Sequence, residues 1–260
     1  LRRLLPSQGK LMLELGAGAG RNTPRYQNYE RIVLLDYSHT QLERAQQALG
    51  TDGRYIYVAA DIYRLPFVNG LFDGATMIRT LHHMAEPRQA LEQVRRVLVK
   101  DACFILEFAN KRNLKSILRY ILGRQYWNPF SPDPVEFAPL NFDFHPGTLR
   151  AWLRQTDFVV ERQLTVSHLR MGFFKQILPL KFMVWFDSMA QLTGDLWQLS
   201  PSVFVRSHAS GNAIQPAAAG TFFRCPACGA NLADTPPQLV CEACGQTYPV
   251  ENGIYDFRLQ

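Results

Sequence analysis

Apolar residues along the first 110 positions follow two alternating rhythms. Short runs at Lys10–Leu15, Arg31–Leu35, Tyr55–Ala60, Gly74–Arg79 and Ala102–Phe108 have the length and composition of buried strands. Between them the spacing turns helical. Thr40–Leu49 puts Leu42, Ala45 and Leu49 on one face, and Glu86–Val99 forms a stripe of Ala90, Leu91, Val94, Val97 and Leu98. Strands that are apolar on both sides need cover on both sides. The alternation therefore predicts a parallel α/β sheet with helices on its two faces.

Residues 111–200 are less regular. A helix is expected over Asn113–Leu122, with Leu114, Ile117, Leu118, Ile121 and Leu122 on one face. Lys111, Arg112, Lys115, Arg119 and Arg124 surround it, with no acid among them. A loop with Pro129, Pro132, Pro134 and Pro139 follows, then a helix at Gly147–Gln155 and a strand at Phe158–Val166. Met171–Leu192 is apolar and aromatic but broken at Pro179, and Ser202–Arg206 reads as a last strand. Residues 209–220, rich in Ala, Gly and Ser, have the composition of a linker.

Two clusters carry candidate chemistry. The first is Leu13-Glu14-Leu15-Gly16-Ala17-Gly18-Ala19-Gly20, which closes a strand and precedes an expected helix. Glycines there allow a tight turn and close approach of a ligand to the backbone. Alone, such a loop is an ordinary glycine turn. Here Asp36 ends the second strand and Asp61 the third. Acids at the C-terminal ends of consecutive parallel strands face the crevice where such sheets bind ligands. Asp36 can accept from both hydroxyls of a ribose, and Asp61 from an adenine amine, although either can also serve as a helix cap.

In these residues the chain resembles the class I S-adenosylmethionine-dependent methyltransferases, in particular the ubiquinone-biosynthesis-like group. The resemblance covers residues 5–110 or so. Glu14-Leu15-Gly16-Ala17-Gly18-Ala19-Gly20 matches the family's glycine motif, Asp36 its ribose acid, and Asp61 with Ile62 its adenine-side acid. Phe72-Asp73, Leu81-His82-His83 and Arg96-Val97-Leu98 match further family segments. The resemblance implies a Rossmann-like, doubly wound, mostly parallel seven-stranded sheet with S-adenosylmethionine as co-substrate. It further implies that Glu14 helps anchor the methionine end, that Tyr37 packs near the adenosine, and that Arg79 and Thr80 border the methionine end. His83 is a candidate base for the acceptor, set against a purely structural histidine. One departure is visible: the family's usual Lys-Pro-Gly-Gly turn is replaced by Val99-Lys100-Asp101-Ala102, at the edge away from the crevice.

The second cluster is Cys225-Pro-Ala-Cys228-Gly and Cys241-Glu-Ala-Cys244-Gly. Two such pairs twelve residues apart aim four thiolates at one tetrahedral ion, which leaves no open position and makes a zinc structural. Two disulfides or a rubredoxin-type iron are the other arrangements four such cysteines allow. From Phe222 to Arg258 the tail resembles the small zinc-ribbon proteins that activate methyltransferases, with Tyr248-Pro249-Val250 and Asn252-Gly253-Ile254 as further matches. In that family the ribbon packs on a methyltransferase, which implies docking on this chain's own domain. Phe222, Phe223, Tyr248, Val250, Ile254, Tyr255 and Phe257 are more apolar surface than so small a ribbon can bury by itself. The expected organisation is a methyltransferase domain at 1–208, with acceptor-site elements in 111–200, a linker at 209–220 and a ribbon at 221–260.

Composition sharpens this in three ways. Residues 1–210 hold 26 Lys and Arg against 18 Asp and Glu, and residues 211–260 hold 2 against 4. The basic main part admits RNA, an anionic surface or an acidic substrate as partner without requiring one. No run reaches a membrane span, and the opening Leu-Arg-Arg-Leu-Leu-Pro is not a signal peptide. With clustered cysteines and a lone Cys103 in an apolar run, a reducing cytoplasm is expected. Tyr126, Trp127, Phe130, Phe173, Phe174, Phe182 and Trp185 suit a small-molecule or lipid-like acceptor, although for any one of them an ordinary core position is the expected reading. An RNA methyltransferase and a non-catalytic scaffold are the alternatives. The base-amine motif that would follow the fourth strand in the first is missing, and the intact glycine loop opposes the second.

Overall fold

The computed structural model describes residues 1–168, 179–211 and 214–259. Five strands run parallel: β1 (Gly9–Leu15), β2 (Tyr29–Asp36), β3 (Tyr55–Ala59), β4 (Phe72–Met77) and β5 (Leu98–Ala109). β9 (Ser202–Ala209) lies antiparallel to β5, and β8 (Phe158–Val166) antiparallel to β9. The order β3-β2-β1-β4-β5-β9-β8 is the expected seven-stranded sheet. It does not end there. Three tail strands, β12 (Gln238–Val240), β13 (Thr247–Glu251) and β14 (Ile254–Asp256), extend it to ten, with β14 parallel to β3.

The helices fall where the apolar stripes put them. α1 (His39–Leu49) buries Leu42 and Ala45, and α2 (Pro87–Val97) buries Ala90, Leu91, Val94 and Val97. α4 (Pro146–Gln155) seats Leu149 and Leu153 on the side that β8 continues. The departing segment falls within β5, at the register shift between the Phe72–Leu98 and Gly74–Cys103 pairs, where Asp101 takes φ 63°, the left-handed region in which Asp is among the better-tolerated residues after glycine.

Two expectations are corrected, and the face of one helix is placed. No α-helix follows the glycine loop; residues 23–25 form a single 3-10 turn with Pro24 in it. Only thirteen residues separate β1 from β2, and Pro24 cannot donate to a helical ladder. α3 (Leu114–Ile121), whose apolar face the sequence leaves unassigned, presents that face outward. Ser116 is its buried residue, while Leu114, Leu118, Ile121 and Leu122 are 50–69% exposed. Asn113 caps it through Ser116 N–H, and Leu114 N–H bonds Leu199 O, so its first turn is pinned with the polar side inward. The second correction concerns the aromatic candidates of 111–200: Trp127 is half-buried and the other described candidates are not core, whereas Phe144 and Phe158 of the same stretch are buried in the main cluster. Tyr126, Phe130, Phe182 and Trp185 are exposed, and α5 (Leu180–Ala190) buries none of its residues. Phe173 and Phe174 lie outside the described residues.

The tail also rests on the sheet through its first segment, β10 (Phe223–Arg224), which pairs with β11 (Asn231–Leu232). Phe223 bridges to Phe67, and Arg224 N–H bonds Pro66 O at 2.9 Å. The rings of Phe67, Phe72, Phe222, Phe223 and Phe257 form one edge-to-face and tilted cluster. The buried tail residues Phe223, Leu232, Leu239, Tyr248 and Phe257 belong to the same apolar cluster as Leu13, Val33 and Phe104 of the main sheet. The segment with linker composition is itself tied down where described: Ser210 N–H bonds Asp157 O, and Ala217 N–H bonds Gly70 O.

Candidate functional site

The carboxyl ends of β1, β2, β3 and β4 meet at one edge of the sheet, and each brings a predicted residue. The glycine loop leaves β1 with Gly16, Gly18 and Gly20 all at positive φ. At Gly16 a side chain would collide with Thr80, since an added Cβ would lie 2.1 Å from its Oγ1. At Gly18 an added Cβ would meet nothing within 4 Å, so the loop's middle faces open space. Ala17 N–H bonds Leu35 O and holds the loop against β2.

Asp36, at the end of β2, accepts from Gly18 N–H at 2.8 Å through Oδ2 and from Ser38 N–H at 2.9 Å through Oδ1. It thus ties the glycine loop to the start of α1, and each oxygen keeps a further lone pair. Tyr37 beside it is 62% exposed. Asp61 follows β3 and caps the turn at Ile62–Arg64, Oδ1 accepting from Tyr63 N–H at 2.9 Å. Ile62 is buried under that turn. Tyr37, Asp61, Tyr63 and Gln89 line a cleft of ≈ 340 Å³.

Glu14 points the other way. It is 3% exposed, and its carboxyl accepts from the Thr23 hydroxyl at 2.6 Å and the Tyr26 hydroxyl at 3.3 Å. Burial pushes its carboxyl up to about 7, against the opposing pull of those two hydrogen bonds. Glu14 therefore fastens the 23–26 turn beneath the loop. Thr23 and Tyr26 carried no motif in the sequence.

After β4, Arg79 sits at φ 58°, held there by its N–H donating to Glu107 Oε2 at 2.9 Å. Glu107 lies 28 residues away on β5 and is 7% exposed, so only the parallel pairing of β4 with β5 reveals this clamp. Thr80 is buried and its hydroxyl bonds Leu15 O. His82 and His83 form the next turn with ring centroids 4.0 Å apart. Burial, with His83 and Arg79 nearby, lowers His82 to about 4, so it is neutral near pH 7. His83 is exposed, and its Nδ1 lies 3.0 Å from Leu140 O. A carbonyl only accepts, so Nδ1–H donates this bond. Leu140 belongs to the hairpin of β6 (Val135–Ala138) and β7 (Asn141–Asp143), which packs over this turn. His83 thus ties the turn to that hairpin, and its Nε2 has no hydrogen-bond partner among the described residues.

In the tail, the Sγ atoms of Cys225, Cys228, Cys241 and Cys244 all lie within 4.8 Å of one another. The pairs Cys225–Cys244 and Cys228–Cys241 stand 3.7 and 3.5 Å apart, and no disulfide joins them. Gly229 and Gly245, each at positive φ, return N–H bonds to Cys225 O and Cys241 O and close the two knuckles.

Comparison with known proteins agrees with this geometry. Residues 13–106 match the family model of a methyltransferase domain. A demethylmenaquinone methyltransferase of Clavibacter sepedonicus is 34% identical over 182 residues, covering 64% of this chain and 73% of that protein. The O-methyltransferase resE of Aspergillus sclerotiorum is 35% identical over 101 residues, 37% of this chain, which spans only 38% of that protein's length. Among solved structures, a chain from the complex of the Haloferax volcanii Trm112 methyltransferase activator with a methyltransferase superposes with a TM-score of 0.56 at 16% identity. The match covers 81% of this chain and 86% of that one. An S-adenosylmethionine-dependent methyltransferase of Mesorhizobium loti gives 0.54 at 16% identity, over 80% and 94%. With the glycine loop, the two strand-end acids and a relative aligned over most of its length, the chain belongs to the S-adenosylmethionine-dependent methyltransferases.

Proposed function

We propose that this chain transfers the methyl group of S-adenosylmethionine to a small-molecule or lipid-like acceptor. The observation that carries the reading is the convergence of Gly18, Asp36 and Asp61 on one open edge of the sheet. S-adenosylmethionine brings its own activated methyl, so the protein's work is placement and exclusion of water. Asp36 has lone pairs left for two ribose hydroxyls, and Asp61 has an oxygen that no described residue engages for an adenine amine. Gly16, Ala17, Gly18 and Gly20 give the backbone contour, Tyr37 and Ile62 border the base, and Arg79 and Thr80 border the methionine end. Glu14 acts there as a positioning residue through Thr23 and Tyr26. His83 Nε2 is the atom offered for an acceptor proton.

An apolar acceptor fits what surrounds the site. α3, which follows the carboxyl end of β5, and residues 196–199, which lead into β9 beside that end, present Leu118, Ile121, Leu196 and Trp197 to solvent. The bacterial relative acts, by its name, on a demethylmenaquinone, an apolar ring compound. The deciding experiment is incubation of the purified chain with methyl-labelled S-adenosylmethionine and fractionated cell extract. Label is expected in the organic-extractable or small-molecule fraction. Label confined to RNA or protein would overturn the acceptor reading.

The tail is proposed to hold one structural zinc through Cys225, Cys228, Cys241 and Cys244. Zn–S bonds of about 2.3 Å set tetrahedral S···S separations of about 3.8 Å, close to those found. Four thiolates leave no position for catalysis. The ribbon at 221–260 is proposed to dock permanently on its own methyltransferase domain, as a built-in counterpart of an activator subunit. The β14–β3 ladder, the Phe67–Phe223 bridge and the shared aromatic cluster support this.

A further inference from the structure

We propose that the residues after β14 form a wall of the cofactor site, so that the nucleoside is held partly by the end of the chain. This rests on the cofactor reading above. Phe257 and Leu259 also line the cleft that contains Tyr37 and Asp61. They arrive there by register. β14 pairs Asp256 with Ala59, and Phe257 N–H bonds Ala59 O at 2.8 Å, two residues before Asp61. Parallel pairing makes β14 end at the same edge as β3, so whatever follows β14 must enter the crevice that Asp61 borders.

The side chains agree with this placement. Phe257 is 2% exposed and stacked among Phe223, Tyr248 and Tyr255, a rigid backing. The guanidinium of Arg258 lies 5.9 Å from the centre of the Tyr37 ring, within cation–π range. Asp256 aligns that guanidinium, accepting from its Nε at 2.9 Å. Tyr37 is thus steered from the tail, across 221 residues of sequence. Leu259 remains half-buried beside the cleft, with apolar area to offer to a purine face.

The test is calorimetric titration of the full chain with S-adenosylhomocysteine and with 5′-methylthioadenosine, which lacks the amino-acid end. Leu259→Ala and Arg258→Ala avoid the buried ring of Phe257 and are expected to leave the melting temperature unchanged. Each should raise the Kd of both ligands about five-fold or more, as loss of apolar and stacking contact with the base requires. Wild-type affinities in both variants would overturn the proposal. An Asp36→Ala variant run alongside separates the two ideas. If it binds normally the cofactor reading itself has failed, and if it alone binds poorly only the wall has failed.

A different observation carries a second proposal, that the outward face of α3 rests on an anionic phospholipid surface. A helix that buries Ser116 and exposes Leu114, Leu118, Ile121 and Leu122 is built for an apolar neighbour. Exposed Lys115, Arg119 and Arg124 adjoin the stripe, and no acid occurs from 111 to 132. A second copy of the chain would bring like charges together there, whereas anionic lipid would not. Sedimentation with vesicles of phosphatidylglycerol and phosphatidylcholine should carry the protein down, and vesicles of phosphatidylcholine alone should carry several-fold less. Leu118→Glu with Ile121→Glu, both at exposed positions, should abolish the difference. Equal binding to both vesicles, or concentration-dependent dimers lost in that variant, would overturn it.

Discussion

Replacing Glu14 by Gln should make the protein more stable above neutral pH, and the size follows from the site. Burial raises the carboxyl from 4.5 to about 7. Between those values the folded chain holds a proton that the unfolded chain has released, so stability falls as pH rises through the window and is level above it. At about 1.4 kcal/mol per pH unit the loss is up to about 3 kcal/mol. Gln keeps a carbonyl oxygen to accept from Thr23 and offers an amide to the Tyr26 hydroxyl, without a charge to bury. His82, lowered to about 4, works in the opposite sense, its stability contribution being lost as pH falls below 6.5. It is present in both proteins and cancels from their difference. Urea unfolding of wild type and Glu14→Gln at pH 5 and pH 8 reads that difference. The variant should gain on wild type by roughly 2–3 kcal/mol between the two pH values. A gap that does not change with pH would refute a protonated, desolvated Glu14.

Asp36→Ala removes the acceptor for Gly18 N–H as well as the proposed ribose contacts, and should weaken S-adenosylhomocysteine binding about ten-fold or more by calorimetry. Protein prepared without added metal should contain about one zinc per chain by metal analysis, and Cys241→Ser, at a buried ligand, should lower both metal content and melting temperature. Deleting 221–260 uncovers Phe67 and Phe72 and leaves β3 as an open edge, so the truncated chain should aggregate or melt well below the full chain. A monodisperse truncated chain of unchanged melting temperature would make the ribbon an independent module.

Local signals settled much of this molecule. Strand runs and helix stripes are one-dimensional patterns, so β1–β5, α1 and α2 were legible from spacing. The glycine loop, Asp36 and Asp61 were legible because strand ends converge at a fixed edge of a parallel sheet. The gathering of the four cysteines was legible because two Cys-x-x-Cys-Gly turns each bring a pair of thiols to one side. What the sequence could not decide was which side of an element meets its neighbours. The stripe on α3 is legible as one face, but only Asn113 and the bond from Leu114 N–H to Leu199 O show that it lies outward. The helix expected after the glycine loop was lost to a short connection and Pro24. Glu107 reaches Arg79, Thr23 and Tyr26 reach Glu14, and Phe257 reaches the crevice of Asp61 only through strand pairing. Such contacts join residues far apart in the chain by hydrogen-bond registers that no local spacing encodes, and the tertiary structure alone decided them.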